Sequence, residues 1–110
     1  MDLILVVCGA GASSTFLASR IRSLATERGL DLTARAASNL DLSSRLADAT
    51  VLLVGPHLEA SFSELRAEAA THSVPAGLLP ATAFGPDGAT DALEQALALL
   101  DATNEGSVNA

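Results

Sequence analysis

The chain contains no lysine, no tryptophan and no tyrosine, and it has a single cysteine and three phenylalanines. Without lysine, its six arginines face 13 acidic residues, for a net charge of −7. That balance argues against broad binding to a nucleic-acid backbone, which needs many cations. The scarcity of aromatics likewise argues against a base-stacking platform, so no nucleic-acid partner is expected. One small anion pocket stays open, because backbone N–H groups can build it locally. One cysteine cannot close an intrachain disulfide, which fits a reducing compartment. No segment reaches the ~20 apolar residues of a membrane span. The opening "MDLILVVCGAGA" lacks a basic start and is interrupted by Gly9, so it reads as a buried strand and not as a signal peptide. A soluble, cytoplasmic protein without direct membrane insertion is expected. Neither an internal repeat nor a low-complexity segment nor a linker is evident.

What is present fits one domain with a real core: 110 residues, 49% of them apolar. "DLILVV" at 2–7 and "TVLLVG" at 50–55 are continuous apolar runs, as in strands covered on both faces. "LDLTARAAS" at 30–38 reads as a strand between them, and "VPAGLL" at 74–79 as a weak strand that Pro75 assigns to an edge. Leu17, Ile21, Leu24 and Ala25 recur at helical spacing over 14–28, with Ser13 as N-cap and Gly29 past the end. A short helix is predicted from Asp41. Leu58, Phe62, Leu65 and Ala69 mark another over 58–71, and Leu93, Ala96, Leu97 and Leu100 a last one over 89–102. Asp91 and Glu94 have capping-box spacing, with Asp87 and Thr90 as other candidates. The order βαβαβαβα predicts a four-stranded parallel sheet with helices on both faces, joined by right-handed crossovers. This is a three-layer α/β sandwich of the flavodoxin-like or phosphatase-like kind. The domain is expected over 1–102, with 103–110 a flexible tail.

The chemistry concentrates in "CGAGASST", which follows the first strand. Ligands in such sheets sit at the carboxyl ends of the strands, near the reversal of strand order. Gly9 and Gly11 allow unusual backbone angles. The N–H groups of Gly9, Ala10, Gly11, Ala12, Ser13 and Ser14 can then turn inward as an anion-binding nest at a helix N-terminus. Ser13, Ser14 and Thr15 add hydroxyls. A thiol at the mouth of that nest is expected to ionise below the free value of ~8.5. A lone cysteine is commonly buried packing; Cys8 instead sits directly between an apolar strand and a glycine–hydroxyl loop, which favours a chemical role.

Three chemistries compete for this loop. A dinucleotide site is poorly served: Gly9-x-Gly11-x-x-Ser14 lacks the third glycine, and "ARAAS" offers no acid for a ribose. A low-molecular-weight-type cysteine phosphatase needs C-x5-R, but the sixth residue after Cys8 is Ser14, and "GPDG" at 85–88 reverses the required Asp-Pro. The third is a phosphoryl carrier.

"ILVVCGAGASSTFLASRI" resembles the phosphocysteine loop of enzyme IIB components of the bacterial sugar phosphotransferase system (PTS), of the lactose/cellobiose/chitobiose type. Cys8, Ala10, Gly11, Ser13, Ser14 and Leu17 fit that pattern without a gap, whereas the ascorbate-type loop needs an extra residue. The turn "VGPHL" resembles the family's Ser-Pro-Gln turn, with Gly55 and His57 in place of Ser and Gln. Gly9 and Ala12 are further departures, and "LLPATAFGP" keeps Pro80 and Phe84 but lacks the family's glutamine. The resemblance covers about residues 2–102. It implies a phosphohistidine–sugar phosphotransferase with Cys8 as nucleophile and then leaving group. A IIA component would be the phosphoryl donor, and a membrane IIC component would hold the sugar acceptor, a disaccharide such as cellobiose, lactose or chitobiose. No cofactor is implied, and a monomer is expected. Ser14 in place of arginine suits a carrier, since fewer cations around the thiophosphate protect it from water. The readings left beside this one are a non-enzymatic anion- or nucleotide-binding module and a phosphatase-like or arsenate-reductase-like thiol enzyme. Against the latter stand the missing arginine and the lack of a resolving cysteine.

His57 follows the third strand and is expected at the same sheet end as Cys8, as an auxiliary group or as an exposed residue at a helix start. His72 is placed at a helix end, where an imidazolium suits the dipole. Arg20 and Arg22 read as solvated helix residues or as the rim of a docking surface. Cys8 and two unclustered histidines make no metal set.

Overall fold

The computed structural model describes residues 2–7, 11–38, 41–85 and 87–109. In chain order it comprises β1 (Asp2–Val7), α1 (Gly11–Glu27), β2 (Leu32–Ala37), α2 (Leu42–Leu46), β3 (Val51–Val54), a 3-10 segment (Pro56–Ser61), α3 (Phe62–Thr71), β4 (Ala76–Leu78), a second 3-10 segment (Ala81–Phe84) and α4 (Gly88–Asn109). The strands pair all-parallel in the order β2-β1-β3-β4, as the alternation of elements predicts.

The apolar strands are explained by what covers them. Ile4, Val6, Val51 and Leu53 pack with α1 and α4 on one face. Leu5, Val7, Leu52 and Val54 pack with α2 and α3 on the other. With both faces covered, a strand must be apolar at every position, which removes the usual alternation.

The two open edges of the sheet are closed in the same way. Just ahead of β2, the Asp31 carbonyl accepts from Asp2 N–H at 3.2 Å, so alternate residues such as Ala34 turn their carbonyls off the edge. Arg22 of α1 donates Nη1–H to that Ala34 carbonyl at 2.6 Å. In β4, the carbonyl of Pro75 accepts from Leu52 N–H at 2.9 Å, so the carbonyl of Leu78 faces outward. Gln95 of α4 donates Nε2–H to it at 3.0 Å. Each edge thus presents a satisfied carbonyl and a polar side chain, which discourages pairing with another chain. Pro75 stands just ahead of β4, so its missing donor falls outside the ladder.

Helix boundaries correct several expectations. The first helix starts at Gly11, three residues before the predicted start, so Ser13 lies in its first turn and is not its N-cap. Glycine costs little there, because a first turn has few ladder bonds to lose. The helix predicted over 58–71 is two pieces, since Pro56 opens a 3-10 segment that deviates at Leu58 (φ −105°) before α3 begins at Phe62. The last helix runs to Asn109, past the predicted end near 102.

α1 ends as predicted at Gly29 (φ +68°). Gly29 N–H donates to Thr26 and Leu30 N–H to Ala25, at 3.1 and 2.9 Å, a Schellman motif. α3 ends in the same motif: Ser73 N–H donates to Ala70 and Val74 N–H to Ala69, both at 3.0 Å. There, however, the left-handed position is held by Ser73 at φ +60°. A β-carbon is penalised in that conformation. Ser73→Gly is therefore expected to stabilise the protein by about 0.5–1 kcal/mol, read as a higher unfolding midpoint in urea with an unchanged slope.

Candidate functional site

The carboxyl end of β1 lies at the switch point of the sheet. The chain leaves β1 for β2 on one side and later returns to β3 on the other. Val7, the last residue of β1, pairs with Ala37 and with Val54. The connections after β1 and β3 diverge toward opposite faces, to α1 and to α3. A crevice of this kind is where open parallel sheets bind ligands.

Backbone bonds hold the rim of this crevice together. Gly55 N–H donates to the Val7 carbonyl at 2.8 Å, and Leu79 N–H to the Val54 carbonyl at 2.7 Å. The turns that follow β3 and β4 are thereby tied to the strand ends they leave. His57 stands two residues after Gly55, exposed in the Pro56–Ser61 segment. It shares this end of the sheet with the start of α1; its expected nearness to Cys8 concerns a residue outside the described ones.

Of the predicted site residues, Cys8, Gly9 and Ala10 lie outside the described residues. In sequence they are the three positions between Val7 of β1 and Gly11 of α1. Gly11, Ala12, Ser13 and Ser14 form the first turn of α1. The N–H groups that open a helix have no carbonyl four residues back within it, and the helix dipole gives that end partial positive charge. No acidic residue occupies the first turn of α1 to neutralise it. Thr15 follows, exposed. An anion placed beyond Val7 would face the positive dipole end of a 17-residue helix.

The β2–α2 connection reaches the same end of the sheet and carries an ordered carboxylate. Asp41 accepts from Arg45 Nε at 2.8 Å, from Ser38 N–H at 2.9 Å and from Ser38 Oγ at 3.0 Å. The Arg45 hydrogen bond foremost, then the two from Ser38, lower its pKa from 3.8 to about 2. A carboxyl depressed in the fold adds stability above its unfolded pKa, and the gain is lost as pH falls through the folded value. The side-chain carboxyl signal of Asp41 is accordingly expected to titrate with a midpoint about 2, and Arg45→Gln to raise that midpoint. A wild-type midpoint at the ordinary value would refute the Arg45–Asp41 pairing in solution.

Sequence reasoning passed over Phe16. It is 64% exposed and is the only large hydrophobic side chain so placed among the described residues. The Arg20 guanidinium lies over its ring, 5.7 Å from the centroid. The spacing of four residues is readable in the sequence, but the helical pattern marks only the buried stripe of Leu17, Ile21 and Ala25 beside it. Among the described residues, no group of three His, Cys, Asp or Glu side chains gathers to hold a metal. No described helix is long and apolar enough to cross a membrane.

The strand order and the placement of the helices define a small parallel α/β domain in which the start of α1 stands at the switch-point end of the sheet. Within that class, the family model for the PTS system lactose/cellobiose specific IIB subunit matches residues 3–84. The chain belongs to that family. It is 27% identical over 100 residues to the PTS system oligo-beta-mannoside-specific EIIB component of Bacillus subtilis (strain 168), an alignment covering 91% of this chain and 97% of that protein. Two solved structures share the fold. The cellobiose-specific phosphotransferase IIB component protein of Borrelia burgdorferi superposes with a TM-score of 0.75 at 24% identity, over 93% of this chain and 94% of that one. The lactose-specific IIB component domain of Streptococcus pneumoniae gives 0.74 at 16%, over 89% and 96%. Membership implies a role in sugar phosphotransfer and corrects neither the expected fold nor the expected family.

Proposed function

We propose that this protein is a cytoplasmic phosphoryl carrier that takes a phosphoryl group from the phosphohistidine of a IIA protein onto Cys8 and delivers it to a sugar held by a membrane IIC protein. The observation that carries the reading is the family match over residues 3–84, together with a cysteine as the first residue after β1 and a helix that starts at Gly11 with no acid in its first turn. In the first step the Cys8 thiolate attacks phosphorus. The N–P bond of the donor breaks, and its electron pair returns to the imidazole nitrogen. In the second step a sugar hydroxyl attacks the same phosphorus. The S–P bond breaks, the thiolate leaves, and the hydroxyl proton is released.

Both steps move a phosphoryl group whose charge spreads over three equatorial oxygens, so positioning and neutralisation are the main requirements. The N–H groups of residues 9–14, at the positive end of α1, would supply both without a metal. The same end would favour the thiolate over the thiol. Ser14 stands where a C-x5-R hydrolase has its arginine, and its lack of charge would leave the thiophosphate less open to attack by water. His57 is a candidate for steering the donor or hydrogen-bonding the phosphoryl group. The sugar is proposed to be a disaccharide of the cellobiose, lactose or chitobiose kind.

The test is transfer itself. The protein is incubated with phosphoenolpyruvate, the general phosphotransferase proteins and a panel of lactose/cellobiose-type IIA proteins, then analysed intact and as peptides by mass spectrometry. One added phosphate on the peptide containing Cys8 is expected. No label with any of the panel would overturn the reading.

A further inference from the structure

We propose that Phe16 and Arg20, side by side on the exposed face of α1, form the anchor on which the phosphoryl-donor protein docks, the donor offering an apolar depression for the ring and a carboxylate for the guanidinium. The inference rests on the carrier reading above and adds to it where the donor binds and by what chemistry.

The first ground is the exposure of the ring. The stripe of α1 that packs on the sheet comprises Leu17, Ala18, Ile21 and Ala25, all buried. Phe16 lies off that stripe at 64% exposure, so its ring contributes little to the core. Arg20, one turn on, covers one face of the ring at 5.7 Å. A stacked Arg–Phe pair presents contact area with few rotamers left to freeze, and aromatics and arginine are the residues enriched at the energetic centres of interfaces.

The second ground is place. Phe16 is five residues after Gly11, the first residue of α1, so it stands about 7.5 Å along the axis from the helix start. A partner that brings its phosphoryl group to the residues between Val7 and Gly11 must cover this turn. Arg20 also lines a cleft of about 250 Å³ between α1 and α4, with Ser23, Leu24, Glu27, Ala89 and Thr90 among its walls, so that the cleft offers both a cation and, two turns on, an acid. The anchor therefore continues into a concavity able to receive a side chain of the partner.

The third ground is charge, and it selects the donor. The protein carries −7 overall, yet α1 has no acid in its first turn and bears Arg20 one turn beyond Phe16, its one acid being Glu27 at the far end. The donor arrives with the added negative charge of a phosphoryl group, whereas the acceptor at IIC is a neutral sugar hydroxyl. A local cation on a negative protein steers the first encounter and adds little to the second.

The experiment measures transfer from a phosphorylated lactose/cellobiose-type IIA protein at varied donor concentration. For Phe16→Ser, the KM for the donor is expected to rise about tenfold or more with kcat nearly unchanged, the mark of a lost contact at an interface centre. For Arg20→Gln, the association rate is expected to fall and to lose most of its dependence on salt. Thermal unfolding of both variants should match the parent. Wild-type kinetics in both variants would overturn the inference while leaving the carrier reading intact. Unchanged donor kinetics with slowed delivery to sugar in IIC-containing vesicles would assign the face to the acceptor and would also overturn it. Absence of label on the parent protein removes both readings together.

Discussion

Replacing Cys8 with serine is expected to reduce phosphoryl transfer by at least ~10³-fold, the loss that accompanies removal of a nucleophile. The change keeps a small side chain with one proton on a group-16 atom, so volume and polarity vary little. What changes is the fraction ionised near neutral pH. A thiol has a free pKa of ~8.5, and a helix N-terminus moves it lower. A serine hydroxyl stays protonated near neutral pH and is a far weaker nucleophile than a thiolate. The loss should therefore appear in kcat as well as in kcat/KM, with an unfolding midpoint close to that of the parent. A companion measurement is the rate of carbamidomethylation of the parent against pH, whose midpoint should lie below ~8.5. Phosphate that persists on Cys8→Ser would move the phosphoryl site elsewhere, with His57 and His72 the first positions to map.

Much of the architecture was readable because it follows from patterns that burial imposes. Two apolar runs with no polar interruption, at 2–7 and 50–55, indicate strands covered on both faces, and they became the central strands β1 and β3. Pro75 pointed to an edge strand, and β4 is one. Gly29 was assigned to the end of a helix, and it caps α1 at φ +68°. The errors share a different origin. Glycine, serine and proline read as loop in the sequence, yet Gly11 and Ser13 belong to the first turn of α1, and Pro56 opens a 3-10 segment. Helix starts tolerate all three residue types, because their backbone donors lack intrahelical partners in any case.

The site was legible in a different way. The position of Cys8 in the chain, after an apolar strand and before glycines and hydroxyls, was enough to suggest a phosphoryl loop and a family, and the family match over residues 3–84 agrees with the suggestion. The outward face of α1 was not legible to the same degree. A helical wheel separates buried from exposed positions, but it does not say which exposed phenylalanine finds an arginine over its ring. That is a property of rotamers and of the helix's neighbours. The Arg22 and Gln95 bonds to the sheet edges were invisible for the same reason, since each joins residues 12 and 17 positions apart.

The second large effect concerns a glycine that no motif singled out. Gly88 is the buried first residue of α4, and it lies against the 3-10 segment Ala81–Phe84. A β-carbon built there would stand 1.7 Å from the Ala83 carbonyl oxygen, 2.2 Å from its carbonyl carbon and 2.9 Å from its Cα. All three are backbone atoms, so no side chain can rotate away. Ala83 is itself 1% exposed and is held by its N–H bond to the Pro80 carbonyl at 3.0 Å. Relief therefore requires α4 or the 3-10 segment to move as a unit. Gly88→Ala is expected to cost about 3 kcal/mol, the upper part of the usual range for overpacking. At roughly 4 °C per kcal/mol for a domain of this size, the unfolding midpoint should fall by about 12 °C. Gly29→Ala provides the contrast, because a β-carbon there meets nothing within 4 Å and the penalty is conformational alone. Its expected cost is about 1–2 kcal/mol. A midpoint for Gly88→Ala at or above that of Gly29→Ala would show that the contact between α4 and Ala83 is not tight in solution. The displaced segment follows β4 at the carboxyl end of the sheet, the end shared with β1 and α1. Gly88→Ala should therefore also perturb amide signals of Gly55 and Leu79, which tie that rim together through the Val7 and Val54 carbonyls, whereas Gly29→Ala, at the opposite end of α1, should leave them in place.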